Sequence, residues 1–286
     1  MSKTILKGKN LSITHTVEEG GSHITLLSDH YADTMVITAV LRGNGRLFIE
    51  GQEYSISDGD IFSIGLNEIH SFHFDDGGYH ERISIYFHSS ILSPFWEYEL
   101  PLMQLFTGHP PGLGNHYSSA EYDREEVGSV LKGICSLTDA AGESISPMEE
   151  GKAHLLVLRL LFSLYGSFET NHFSAPEVSE VNSSVADICR YIRENPRERH
   201  SYESIQNRFF VSRYFLSAVF KRNTGFTLNE YILHTRMMRV SALVREGQPI
   251  AKAAEAAGFR NYSNFYKDFK KHKKVSPQKY YGERKC

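Results

Sequence analysis

The sequence predicts an α+β chain of two domains: an N-terminal barrel of short strands with helices following it, and a C-terminal all-α domain holding two helix-turn-helix units. Three observations carry this. Short strand signals separated by turn formers fill residues 35–88, an apolar and aromatic pattern recurs at an offset of 49 residues near the C-terminus, and charge is unequally divided. The formal net charge of the 286 residues is −3, yet residues 183–286 hold 21 Lys+Arg against 9 Asp+Glu, leaving 10 against 25 in residues 1–182. A segment of +12 therefore follows one of −15. A local cationic excess suits polyanion binding, because each Lys or Arg set against a phosphate releases condensed counterions.

The bulk composition, 41% hydrophobic and 23% charged, is that of a globular chain and excludes disorder. No run approaches the length of a membrane span, and the first residues lack the apolar block of a signal peptide, so a cytoplasmic protein without membrane contact is expected. Cys135, Cys189 and Cys286 are far apart and read as incidental thiols, forming neither a disulfide framework nor a CxxC motif.

Strands are expected at Met35–Arg42, Arg46–Glu50, Glu53–Ile56, Asp60–Ile64, Ile69–Phe74 and Arg82–His88. The breaks between them, Gly43-Asn44-Gly45, Ser57-Asp58-Gly59, Gly65-Leu66-Asn67 and Asp75-Asp76-Gly77-Gly78, are rich in turn formers, and strands so closely spaced suggest a small barrel. A short helix over Pro94–Phe106 should stop at Gly108-His109-Pro110-Pro111-Gly112, with further helices near Ala120–Thr138 and Met148–Phe168. The last carries leucine nearly all around. Either one face packs on the barrel and the other pairs with a second subunit, or the helix is fully buried. Residues 169–182 are polar, lack a period and read as a linker between a domain at 1–168 and one at 183–286.

In the basic third, Ser183 or Ser184 caps a helix with Val185, Ile188 and Ile192 on one face, ended by Asn195-Pro196. Ser201 opens a short helix. Ser212 opens another, placing Phe215, Leu216, Val219 and Phe220 inward and Arg213, Tyr214, Ser217 and Lys221 outward. Thr227 to Glu230 is a capping-box signature for a helix running to Gly247. The pattern then repeats: Ser212 matches Asn261, Leu216 matches Phe265, and Phe220-Lys221 matches Phe269-Lys270, with Pro249 and Gly258 placed as helix start and turn. A connecting helix of about 30 Å approaches the roughly 34 Å repeat of DNA, so the two second helices could enter successive major grooves.

These residues, from Ser212 through Phe220-Lys221, Gly225, Tyr231, Arg236, Ile250, Ala254, Gly258-Phe259, Phe265 and Phe269-Lys270 to Pro277, resemble the DNA-binding domain of the AraC/XylS family of bacterial transcription regulators. Gln206, Phe210 and Lys274 depart from the family pattern; glycine is common at the last two positions. By position the resemblance implies base reading by Arg213, Tyr214 and Ser217 in the first unit and by Asn261, Tyr262, Ser263, Tyr266 and Lys267 in the second. Lys221, Arg222, Lys270 and Lys271 are placed as phosphate clamps. Upstream, Gly59-Asp60-Ile61-Phe62 with Glu68-Ile69-His70 resembles the strand-turn-strand signature of cupin barrels, and Leu41 to Gly45 is similar to the effector domain of arabinose-type regulators.

Eleven of the 14 histidines precede residue 183, but enzymatic cupins hold metal through a His-x-His pair, a Glu and a further His. Here His70 alone falls on such a position, so neither metal nor other cofactor is expected. His70 is instead a pocket hydrogen-bonding group or a satisfied core histidine. Candidate effector-binding residues are His30, His70, Phe72, Arg82, Ser84 and Tyr86. Residues 82–87 alternate polar and apolar. If helices cover the outside of the barrel, the apolar side meets them and Arg82, Ser84 and Tyr86 face the pocket; otherwise those three are surface.

The resemblance implies a transcription activator that binds double-stranded promoter DNA, responds to a small polar effector such as a sugar, forms a homodimer and contacts RNA polymerase. Two alternatives stand beside it: a metal-dependent cupin enzyme with a DNA-binding tail, and a constitutive DNA binder whose barrel only dimerises.

Overall fold

Runs of period two, rich in β-branched and aromatic residues, form ten strands in the computed structural model, which describes residues 2–8, 10–19, 25–26, 34–66, 68–75, 78–92, 101–140, 145–170 and 180–282. The strands are β1 (Ser2–Lys7), β2 (Leu11–Glu19), β3 (Thr25–Leu26), β4 (Met35–Arg42), β5 (Gly45–Ile49), β6 (Gln52–Ile56), β7 (Ile61–Ile64), β8 (His70–Phe74), β9 (Tyr79–Phe87) and β10 (His116–Tyr117). β4 has the expected bounds, and β5 to β9 lie close to theirs. β1, β2, β3 and β10 were not anticipated.

Six strands pair antiparallel in the order β1-β2-β9-β4-β7-β10 and four in the order β3-β8-β5-β6. The expected small barrel takes the form of two sheets face to face, with no ladder between them among the described residues. Connections alternate: each turn after β4, β6, β7 and β8 carries the chain to the other sheet, so these strands find partners within a sheet and not around a cylinder. The interior between the sheets holds Val36, Val40, Phe62, Ile64 and Tyr86 from one side and Leu47, Ile49, Tyr54, Phe72 and Phe74 from the other.

The opposite face of the larger sheet presents Ile13, Ile37, Ala39, Ile83, Ile85 and Phe87 to helices. Those helices are α1 (Gln104–Thr107), α2 (Arg124–Ala140) and α3 (Pro147–Thr170). Part of the helix expected over Pro94–Phe106 lies outside the described residues. α2 starts at Arg124, four residues after the expected Ala120, because Asp123 Oδ1 accepts the Glu125 and Glu126 N–H groups at 2.9 and 3.0 Å, which fixes the cap there. In α3 a stripe of Ala153, Val157, Leu160, Leu161 and Leu164 is fully buried, whereas Met148, Leu155 and Phe162 are exposed by 70%, 68% and 41%. The fully buried alternative for this helix is thereby removed. No helix among the described residues is long and apolar enough to cross a membrane.

The C-terminal helices are α4 (Glu180–Glu194), α5 (Tyr202–Phe209), a π-helical segment Phe215–Val219 continuing into α6 (Phe220–Thr224), α7 (Leu228–Arg245), α8 (Ile250–Ala256), α9 (Tyr262–Lys273) and α10 (Pro277–Gly282). α4 begins three residues ahead of the expected Ser183 cap, and 171–179, within the expected linker, lie outside the described residues. Two cores result. Val185, Ile188, Ile205, Leu216, Phe220 and Tyr231 form the first, and Val240, Ala253, Ala254, Phe259, Phe265 and Phe269 the second. Ile69 of the sheet-rich domain is buried in the first helical core, so the two domains are in contact.

Candidate nucleic-acid interface and ligand site

The caps expected at Ser201, Ser212, Thr227 and Asn261 are made, whereas Ser183 and Ser184 lie inside α4 and do not cap it. The Ser201 hydroxyl accepts the Ser204 N–H and Ser204 returns a bond to the Ser201 N–H; Thr227 and Glu230 exchange the same pair of bonds at the head of α7. Ser212 Oγ accepts the Phe215 N–H at 3.0 Å, and Asn261 Oδ1 accepts that of Asn264 at 2.9 Å. These caps fix where the two second helices begin. They are joined by α7, whose 18 residues span about 27 Å.

The turn of the second unit depends on Gly258. Its φ is +89°, and a Cβ there would lie 1.8 Å from the Pro196 carbonyl oxygen. The absent side chain lets the second unit seat on the loop between α4 and α5, where Arg236 Nη2 donates to the Glu198 carbonyl at 3.1 Å. Phe210 and Lys274 have φ of 54° and 58°. Both occupy the left-handed region for which glycine is best suited, which is the physical meaning of the two departures noted in the sequence.

With Leu216, Phe220, Phe265 and Phe269 buried, Arg213, Tyr214, Ser217, Lys221 and Arg222 are exposed on the first unit, as are Asn261, Ser263, Lys267, Lys270 and Lys271 on the second. Tyr262 and Tyr266 are half-buried. Several of these groups are held in place. Arg213 lies over the Tyr202 ring, 5.3 Å from its centroid, and the Tyr262 hydroxyl accepts from Gln278 Nε2 at 2.5 Å. Ser217 Oγ donates to the Tyr214 carbonyl at 3.3 Å.

In the N-terminal domain the conditional reading of β9 resolves: helices cover the Ile83 and Ile85 side, and Arg82, Ser84 and Tyr86 point between the sheets. The Arg82 guanidinium lies over Phe72 and Phe74, 5.8 and 5.2 Å from their centroids, and 3.8 Å from Glu18 Oε2. His80 pairs with Glu18 at 2.7 Å and stacks on Phe74 at 4.1 Å. Thr38 Oγ1 and Ser84 Oγ are 3.1 Å apart. Burial lowers the Arg82 pKa, opposed by the Glu18 carboxylate, and burial pushes the Tyr86 phenol up to about 12.

His70 sits on the same interior side of β8 as Phe72, with ring centroids 6.3 Å apart. Burial pushes its pKa down to about 4. Neutral at pH 7, it donates from Nδ1 to the Glu68 carbonyl at 3.0 Å. His30 lies outside the described residues. Among the described residues no three His, Cys, Asp or Glu side chains converge to hold a metal.

A family model for an AraC-like ligand binding domain matches residues 16–157, and one for a helix-turn-helix domain matches residues 205–282. Over 98 residues, 34% of this chain and 77% of the other, the chain is 30% identical to the multiple antibiotic resistance protein MarA of Salmonella typhimurium. The chain belongs to the AraC family of transcription regulators. It is 26% identical to the HTH-type transcriptional activator RhaR of Pectobacterium carotovorum over 88% of this chain and 84% of that protein. It is also 21% identical to the lactose operon transcription activator of Staphylococcus xylosus, over 86% and 82%.

This AraC-family chain thus joins a ligand-binding domain to a DNA-binding one. Inside the former, sequence reasoning missed Glu18 and His80. The signal was present: Thr14, Thr16 and Glu18 alternate along β2, and His80 continues the Arg82, Ser84, Tyr86 alternation two residues earlier. A strand drawn from Arg82 cut it off.

Proposed function

We propose that this protein is a cytoplasmic transcription activator without enzymatic activity, in which a small polar metabolite such as a sugar occupies the interior between the sheets and changes how promoter DNA is held. Residues 1–168 form the sensor, 169–182 the linker and 183–286 the reader. Phe72 and Phe74 supply ring faces for a sugar, while His70, Arg82, Ser84 and Tyr86, with His30, supply hydrogen bonds to hydroxyls. Activation is supported by the two relatives named as activators, and a sugar by the one assigned to the lactose operon.

In the reader, Arg213, Tyr214, Ser217, Asn261, Tyr262, Ser263, Tyr266 and Lys267 read bases, and Lys221, Arg222, Lys270 and Lys271 fix phosphates. Met148, Leu155 and Phe162 form the homodimer face, and the DNA-bound dimer engages RNA polymerase. One observation carries the reading: a buried polar cluster walled by aromatic rings lies in the same chain as two exposed basic helix faces. The test is a panel of sugars and other metabolites added to the full chain. A ligand at 100 times its Kd stabilises by about 2.7 kcal/mol, and Arg82→Met removes the effect. The reading fails if no metabolite alters stability, DNA affinity or half-site choice.

A further inference from the structure

One carboxylate of the sensor reaches into the reader. Glu50 directly follows β5, in the left-handed region at φ 50°, and is 4% exposed. Its Oε1 accepts the Ile69 N–H at 2.8 Å, and its own N–H donates to the Ile69 carbonyl. Oε2 accepts the Tyr231 hydroxyl of α7 at 2.8 Å and lies 2.5 Å from Arg193 Nη1 of α4. Burial first, then the adjacent Cys189 and Glu50, push the Tyr231 phenol well above its ordinary value, which keeps it the donor. Beside it, Gly51 lies so close to α4 that a Cβ would stand 2.9 Å from the Ala186 Cα.

The strand that meets this contact also lines the interior. Along β8 and the residue before it, Ile69 enters the reader core while His70, directly following, turns into the interior with Phe72. β5 ladders with β8, pairing Ile49 to His70 and Leu47 to Phe72. A displacement of β8 or β5 by a bound effector is therefore delivered to Ile69 and Glu50 with no intervening element. The exposed faces of both second helices stay open in this arrangement, so the contact fixes the direction in which the reader points and does not cover it.

We propose that the Glu50–Arg193–Tyr231 contact is the latch through which effector occupancy sets the orientation of the reader, with β8 as the relay. This rests on the effector reading above. Cys189, fully buried beside the contact, reports on it. On the full chain, native-state thiol labelling with peptide mapping follows Cys189 against Cys135 of α2 as an internal reference. Removing the charge of the buried Glu50 carboxylate, and with it the ion pair to half-buried Arg193, should raise the Cys189 rate roughly thirtyfold or more in Glu50→Gln, with Cys135 unchanged. Tyr231→Phe, which removes one hydroxyl and preserves packing, should move the same site in the same direction. His70→Asn, made on the interior side of β8 beside Phe72, should shift Cys189 about fivefold or more through the relay.

Wild-type Cys189 rates in Glu50→Gln and Tyr231→Phe overturn the latch, as does equal acceleration at Cys135. A wild-type rate in His70→Asn overturns the relay. Binding of a mixed-sequence duplex by the same preparations is read separately: its absence in the wild type would refute the DNA-regulator reading and leave the latch result standing.

Discussion

Gly247 and Gly258 form a matched pair for testing how the two reader units are held together. Their φ angles are +90° and +89°, but a Cβ on Gly247 meets nothing within 4 Å, whereas one on Gly258 would lie 1.8 Å from the Pro196 oxygen. Alanine at either site bears the left-handed cost of about 1–2 kcal/mol. At Gly258 the Pro196 carbonyl must also retreat from 1.8 Å to beyond 3.0 Å, a shift of roughly 1.2 Å at a half-buried contact that adds about 1–3 kcal/mol. Gly247→Ala should therefore cost about 1–2 kcal/mol and Gly258→Ala about 2–5 kcal/mol. Native-state hydrogen exchange at the Phe265 and Phe269 amides of α9 measures this locally, which avoids assuming a single unfolding transition for two domains. Fluorescence anisotropy with duplex DNA should show the larger loss for Gly258→Ala, because the second unit is then lifted off the first. Equal costs for the two variants would refute the role given to the Pro196 contact.

Acid should weaken both domains. Burial pushes His70 and His234 down to about 4 from an ordinary 6.5, so the unfolded chain binds more protons between those values, and stability held above pH 6.5 is lost as pH falls toward 4. Each contributes on the order of 2 kcal/mol of that loss by pH 4.5, and His70→Asn should flatten the profile for the sensor in denaturant titrations at several pH values. Lys267→Ala and Tyr262→Ala should weaken binding to a selected operator far more than to random duplex, by about 1–3 kcal/mol. Lys271→Ala should weaken both and reduce the slope of log K against log salt by about 1; equal effects of all three on both DNAs would contradict the assigned division. Phe210→Gly and Lys274→Gly relieve left-handed backbone and should each stabilise the reader by about 1 kcal/mol, seen as a raised denaturation midpoint; no change or a loss would show that the strain is compensated elsewhere.

Local signals were the legible part of this protein. Ser201, Ser212, Thr227 and Asn261 each cap a helix through bonds reaching only three residues onward, so the starts of α5, α7 and both second helices were legible, while the start of α4, the π-helical turn and α10 were not. The six central strands were legible for the same reason. β2 was not, because only Leu11, Ile13 and Val17 mark its alternation, with serine, threonine, histidine and glutamate filling the rest. Which side of β9 faces inward depends on α2 and α3, elements far away in the chain. Tyr231 and Glu50 are 181 residues apart; no local period encodes their meeting. The pairing of Glu18 with His80 and Arg82 is of this long-range kind as well.

The π-helical turn at Phe215–Val219 bears on the kind of operator this protein reads. Ser212 and Asn261 stand the same number of residues ahead of Phe220 and Phe269, yet only the first helix contains the wide turn. A π turn takes up one extra residue, equivalent to about 100° of rotation along an α-helix. Arg213 and Tyr214 therefore leave the helix at angles different from those of their counterparts Tyr262 and Ser263. The two units, alike in sequence spacing, are unlike as shapes, and under the base-reading roles proposed above a base step that suits one would not suit the other. A binding element for one chain accordingly has a polarity: exchanging its two halves, with their spacing kept, should destroy it as thoroughly as scrambling either half.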